Sequence, residues 1–226
     1  MRRSSLLAAT TVVALSAASA AQAATITLDF EGINAEYPSS DFAFIQGYYD
    51  GGTSSAGTSG SNFGVSFSSN ALAICLNTVG VTCSNVSRGG LGDPNSQLGA
   101  LFFVEGDAAF INLAAGFTGG LSFFYSAVQQ PGSVSVFDGP DGEGNALATL
   151  ALPTTSSDCS GLGDFCPFEF AEVNFTGTAQ SVAFAGAADQ IIFGDVTFIG
   201  VSPLPAGLPL LLGGLAMLGL LRRRAA

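Results

Sequence analysis

The sequence predicts an all-β fold, a two-sheet jelly-roll-like sandwich, flanked by an N-terminal signal peptide and a C-terminal single transmembrane helix. Three observations carry this reading. Apolar and polar residues alternate in short runs along the middle of the chain. Gly, Pro, Asn, Asp and Ser punctuate those runs at short intervals, and no stretch shows the stripe of an amphipathic helix. Both ends carry apolar segments set beside arginines.

At the N-terminus Arg2 and Arg3 precede an apolar run that begins at Leu6, and Ala21-Gln22-Ala23 closes it. A basic start, a short apolar stretch and a small-residue site define a signal peptide over 1–23, cut before Ala24. The body, 24–200, opens on Thr25-Ile26-Thr27-Leu28-Asp29-Phe30-Glu31, where Ile26, Leu28 and Phe30 share one face. Further strands are expected at Val65–Phe67, Leu72–Leu76, Leu101–Val104, Phe110–Leu113, Leu121–Val128 and Val134–Phe137. Others follow at Leu147–Leu152, Phe168–Phe175, Val182–Ala185 and Ile191–Ile199. Strand after strand without helices argues two packed sheets, and no repeat period points to a solenoid. Gly51–Asn62, almost all Gly, Ser and Thr, is expected to be a mobile surface loop.

Composition narrows the chemistry. Among 226 residues there is no His, Lys or Trp, and 17 carboxylates face 6 bases for a net charge of −11. Without His there is no Ser-His-Asp or Cys-His nucleophile and no imidazole metal site; without Lys there is no Schiff base. A chain so acidic repels nucleic acid. All the carboxylates lie in the body, whose only base is Arg88, so the surface either stays hydrated and self-repelling or gathers cations.

The tail, 201–226, runs from Ser202-Pro203-Leu204-Pro205-Ala206-Gly207 through an uncharged stretch to Leu221 and ends on Arg222-Arg223-Arg224. The uncharged stretch is just long enough to cross a hydrocarbon core as a helix, and the arginines stop on the cytoplasmic side. Pro203-Leu204-Pro205-Ala206, the apolar span and the terminal arginines resemble the VPLPA-type variant of the bacterial PEP-CTERM sorting signal. Here Ser202 stands between Val201 and Pro203. The resemblance implies recognition of Pro203, Leu204, Pro205 and Ala206 by an exosortase, a membrane cysteine transpeptidase. It also implies a temporary anchor in the inner membrane over Leu208–Leu221, a stop at Arg222, Arg223 and Arg224, and release to the cell surface or matrix. Signal peptidase and exosortase are then the processing partners.

The cysteines form two close pairs, Cys75 with Cys83 and Cys159 with Cys166. An oxidising destination and an even count predict a disulfide within each pair, and the absence of CxxC spacing argues against zinc.

Candidate ligand sites are carboxylate and tyrosine clusters. Calcium, which takes six or more oxygens, suits Asp138, Asp141, Glu143 and Asn145 in the Asp138-Gly139-Pro140-Asp141-Gly142-Glu143-Gly144-Asn145 stretch. The same residues also read as an ordinary hairpin loop, and the EF-hand pattern is not met. Glu31 on the first strand and Asp195 on the last form a second candidate pair for a structural calcium. Asp29-Phe30-Glu31-Gly32 with Asp195-Val196-Thr197-Phe198 is similar to exported galactose-binding-like and carbohydrate-binding sandwiches, some of which hold calcium between their terminal strands. That resemblance implies a sugar site, for which Tyr48 and Tyr49, with Tyr37 and Asp50 nearby, are the candidate stacking residues. A carboxylate-only glycosidase is the remaining catalytic option. The sequence thus describes an exported surface or matrix protein that is structural, adhesive and cation-binding, not an enzyme, with extracellular polysaccharide as the alternative ligand and no required cofactor beyond a structural calcium.

Overall fold

The computed structural model describes residues 24–37, 42–76, 83, 98–155 and 167–201. The expected leader, Arg88, Cys159 and Cys166, and the tail with Pro203, Leu204, Pro205, Ala206, Arg222, Arg223 and Arg224 lie outside the described residues, as does the expected transmembrane helix.

The described residues form eleven strands: β1 (Ala24–Leu28), β2 (Phe42–Phe44), β3 (Val65–Phe67), β4 (Leu72–Cys75), β5 (Gly99–Phe102), β6 (Ala108–Ala127), β7 (Gly132–Phe137), β8 (Ala146–Leu152), β9 (Glu169–Val173), β10 (Ala179–Gly186) and β11 (Ile191–Val201). A single 3-10 turn, Pro140–Gly142, interrupts them. Every pairing is antiparallel, in the order β2-β4-β5-β11-β6-β10-β7-β8, with β1 on β11 and β3 and β9 on β6. The fold is therefore all-β and sandwich-like.

β6 makes the sandwich. Its first part pairs with β10 and β3, its second with β11 and β9. Between them β6 advances from Asn112 to Phe117 while β10 moves only from Ser181 to Ala179. Gly116, at φ 75°, occupies that excess; a Cβ there would stand 2.6 Å from the Thr178 Cγ2 and in a conformation that side chains disfavour. The strand bends, and its two halves bring two sheet regions face to face. Across the interior, Phe184 of β10 meets Phe123 of β6 and Phe193 of β11 edge to face, at 5.6 and 4.8 Å between centroids.

β4, β5 and the first residues of β11, 191–194, are buried on both faces. Ala73, Leu101 and Phe193 point into the main core, while Leu72, Ile74, Ala100, Phe102 and Ile192 build a second apolar cluster on the outer side. Such strands read as continuous apolar runs, which is how Leu72–Leu76 and Ile191–Phe193 read in the sequence.

Three expectations change. Phe110–Leu113 and Leu121–Val128 are one strand, because the glycines between them bend β6 without ending it. β2 was not anticipated: its pattern is inverted, with Ala43 inward and both Phe42 and Phe44 exposed. The Gly/Ser loop is a built element. Ser54 is buried, and its Oγ and the Thr58 Oγ1 both donate to the Ile33 carbonyl. The predicted disulfide Cys75–Cys83 is present, with Cα atoms 5.9 Å apart.

Candidate functional site

The tyrosines sit inside the fold. Tyr48 and Tyr49 are 8% and 3% exposed, so neither offers a ring face on which a sugar could stack. They lock the end of β1 instead. The Phe30 N–H donates to the Tyr49 Oη (2.9 Å), which donates to the Asp29 carboxylate (3.2 Å), and the Tyr48 Oη donates to the Glu31 carbonyl (3.0 Å). Tyr37 donates to the Ala73 carbonyl (2.6 Å). Burial, and then the Asp29 carboxylate, pushes the Tyr49 phenol far above its ordinary value; burial and then Glu31 do the same for Tyr37.

The acidic candidates are also engaged. Asp138 closes the β7–β8 hairpin by accepting from the Asn145 N–H (2.7 Å) and the Asn145 Nδ2 (2.9 Å), which hold its carboxyl below the usual carboxylate range. Asp141, at φ 49°, accepts from the Asn112 Nδ2 (2.7 Å) while its own N–H donates to the Asn112 Oδ1 (2.8 Å). Glu143 lies in the same turn, its N–H donating to the Pro140 carbonyl. The segment is the hairpin loop that the sequence also allowed. Glu31 accepts from the Leu98 and Gly99 N–H groups at the head of β5, while β1 and β11 do pair, with Leu28 opposite Val196. Among the described residues no group of three or more His, Cys, Asp or Glu is arranged to hold a metal.

A groove of about 360 Å³ lies on the outer face of β1, β11, β6 and β9, and the strand register builds it. Thr27 stands opposite Thr197, Thr197 opposite Ser122, and Ser122 opposite Glu172. Residues opposite one another on adjacent strands share a face, so these four make one polar row across roughly 14 Å. In the neighbouring row Gly194 faces Phe124, and Phe124 faces Phe170. The two rings pack edge to face at 5.5 Å, and Phe170 is 59% exposed, the largest exposure among the big apolar side chains described. Between Gly194 and Thr197 β11 carries one residue more than β6. That bulge holds Asp195 at φ 46° and places it in the groove wall.

The groove thus offers an aromatic face, hydroxyls at Thr27, Ser122 and Thr197, and a carboxylate at Asp195. Among the described residues no basic group lines it, and of the predicted site residues that are described it contains Asp195 alone. Phe124 and Phe170 were missed, although Glu169-Phe170-Ala171-Glu172 carried a signal: Phe170 stands two residues before Glu172 and so shares the face of an acid.

No family model matches the chain, and no curated protein matches it. Solved structures similar to it include a carbohydrate-binding module from Cellvibrio mixtus lichenase 5A in complex with cellotriose, at 13% identity over 48% of this chain and 82% of that one, with a TM-score of 0.30. A second is the N-terminal part of endo-1,4-beta-D-xylanase 10B from Clostridium thermocellum complexed with xylohexaose, at 15% identity over 52% and 24%, TM-score 0.30. A third is a cleaved adhesin domain of Lys-gingipain from Porphyromonas gingivalis, at 18% identity over 76% and 97%, TM-score 0.35. The likeness is partial, and the functional reading rests on the groove itself.

Proposed function

We propose that the chain is an exported, non-catalytic surface or matrix protein, released by an exosortase, whose jelly-roll-like body binds extracellular polysaccharide along the Phe124–Phe170 groove. The aromatic pair beside the polar row, half-buried Phe124 and exposed Phe170, is the observation that carries this. A pyranose ring has one face of C–H groups and a rim of hydroxyls, so it needs an apolar platform flanked by acceptors and donors, and the groove supplies both. The charge of the body, whose carboxylates face Arg88 as the sole base between 24 and 200, favours an uncharged glycan over an anionic one, which it would repel.

Phe170 is the residue to test. A glycan array is expected to show a neutral polysaccharide bound by the wild type and lost in Phe170→Ala, a change on an exposed ring that leaves the core intact. Binding unaffected by that change would move the site elsewhere; no binding to any glycan would end the reading. The calcium reading has less support in the described residues, because Asp138, Asp141 and Glu31 already accept N–H donors.

A further inference from the structure

Attachment of an oligosaccharide to asparagine asks three things of the acceptor: an Asn-x-Ser/Thr sequence in which x is not proline, a side-chain amide at the surface, and export. The chain holds two such sequences, Asn85-Val86-Ser87, which lies outside the described residues, and Asn174-Phe175-Thr176. The second occupies the loop that joins β9 to β10. Phe175 anchors that loop, its ring packed on the core edge to face with Phe117 at 5.2 Å between centroids. Asn174 and Thr176, on either side of it, are exposed. The two residues whose chemistry the acceptor sequence fixes are therefore turned to solvent, and the one whose identity it leaves open does the packing. Beside Asn174 runs Gly120 of β6, at φ 106°, where a Cβ would stand 3.1 Å from the Asn174 Oδ1, so no side chain at that position crowds the amide. The Asn174 Nδ2 donates to the Glu172 Oε1 at 3.4 Å, a long and exposed bond that is easily exchanged for another partner.

We infer that Asn174 is an N-glycosylation site, which takes an oligosaccharide from a polyprenyl diphosphate carrier through an oligosaccharyltransferase. The inference rests on the export part of the proposed function, because carrier and transferase act on chains that have crossed the membrane. In the transfer the Asn174 Nδ2 forms a bond to the anomeric carbon of the first sugar. The bond from that carbon to the diphosphate oxygen breaks, its electron pair leaves with the diphosphate, and one amide proton passes to a base of the transferase. Nothing is oxidised or reduced. The Thr176 hydroxyl is the second group that the acceptor sequence requires, and its exposure leaves it free to be read. Asn174 follows Glu172, the end of the polar row, by two residues. Four residues of extended chain, roughly 13 Å, separate it from Phe170, so the point of attachment stands clear of the aromatic platform.

Mass analysis of the full chain, expressed in its producing cells and recovered from the medium and membrane fractions, tests this. The expected result is an exported protein heavier than its polypeptide by one oligosaccharide, with peptide fragmentation placing the added mass on Asn174. Asn174→Gln and Thr176→Ala are each expected to lose the modification at this position, and Thr176→Ser, which restores the hydroxyl, to keep it. These changes fall on exposed side chains, so the variants should be exported in wild-type amounts. An exported wild type whose Asn174 is bare overturns the proposal and leaves the export reading standing. Added mass that persists on Asn174 in Thr176→Ala also overturns it, since the hydroxyl would then have no part in recognition. A chain retained in the cytosol with its leader uncut overturns the export reading and this proposal together.

Discussion

Tyr49 shows what a single phenol does here. Its Oη is the acceptor for the Phe30 N–H where the chain turns out of β1, and Phe30 itself stands at φ 60°. Removing the oxygen leaves a buried N–H without its acceptor, so Tyr49→Phe is expected to cost about 1–3 kcal/mol in urea unfolding. The phenols of Tyr37 and Tyr49 titrate well above their ordinary value in the folded chain, burial being the main cause. Their contribution to stability is therefore complete below about pH 10, where the unfolded phenols begin to ionise, and is lost as pH climbs from there toward the raised values. Stability measured against pH should hold level through neutrality and fall above about pH 10, less steeply in Tyr49→Phe. The sequence placed these tyrosines beside Asp50 and a Gly/Ser loop and so suggested a surface. The partners of Tyr48 and Tyr49 on Asp29, Phe30 and Glu31, and that of Tyr37 on Ala73, are far away in the chain, and no local pattern announces such a bond.

At the scale of the element, alternation located most strands but not their bends, because bends are set by register between distant segments. The excess of β6 over β10 near Gly116 and the extra residue of β11 at Asp195 both belong to pairs of strands, and a single strand's sequence does not encode its partner's count. The bulge turned one member of the predicted Glu31–Asp195 pair into a groove residue. Gly99 illustrates a second long-range constraint: a Cβ there would stand 2.1 Å from the Phe30 carbonyl oxygen. Gly99→Ala is expected to destabilise by about 3 kcal/mol, since the obstacle is backbone on both sides. Proximity in sequence did predict the Cys75–Cys83 bridge. Its reduction is expected to lower stability by about 2–3 kcal/mol, from the short loop it closes between β4 and the segment beyond, checked by unfolding with and without reductant.

At the scale of the molecule, an acidic body lies between an expected leader and an expected sorting tail. The tail carries Pro203-Leu204-Pro205-Ala206, an apolar span and Arg222–Arg224 in order. Replacing Pro205 and Ala206 together is expected to leave full-length protein in the membrane fraction, read by C-terminal mass analysis; normal release would argue against recognition by an exosortase. The body's own contribution is the groove, which combines β1, β11, β6 and β9 from opposite ends of the chain and so becomes visible only when they are laid side by side.

The most direct measurement is cosedimentation of the exported protein with insoluble extracellular polysaccharide from its producing cells, comparing wild type with Phe170→Ala. Our account predicts that the wild type pellets with the polysaccharide, with little change as salt is raised, and that Phe170→Ala stays in solution. Equal pelleting of the two proteins, or none by either, would contradict it.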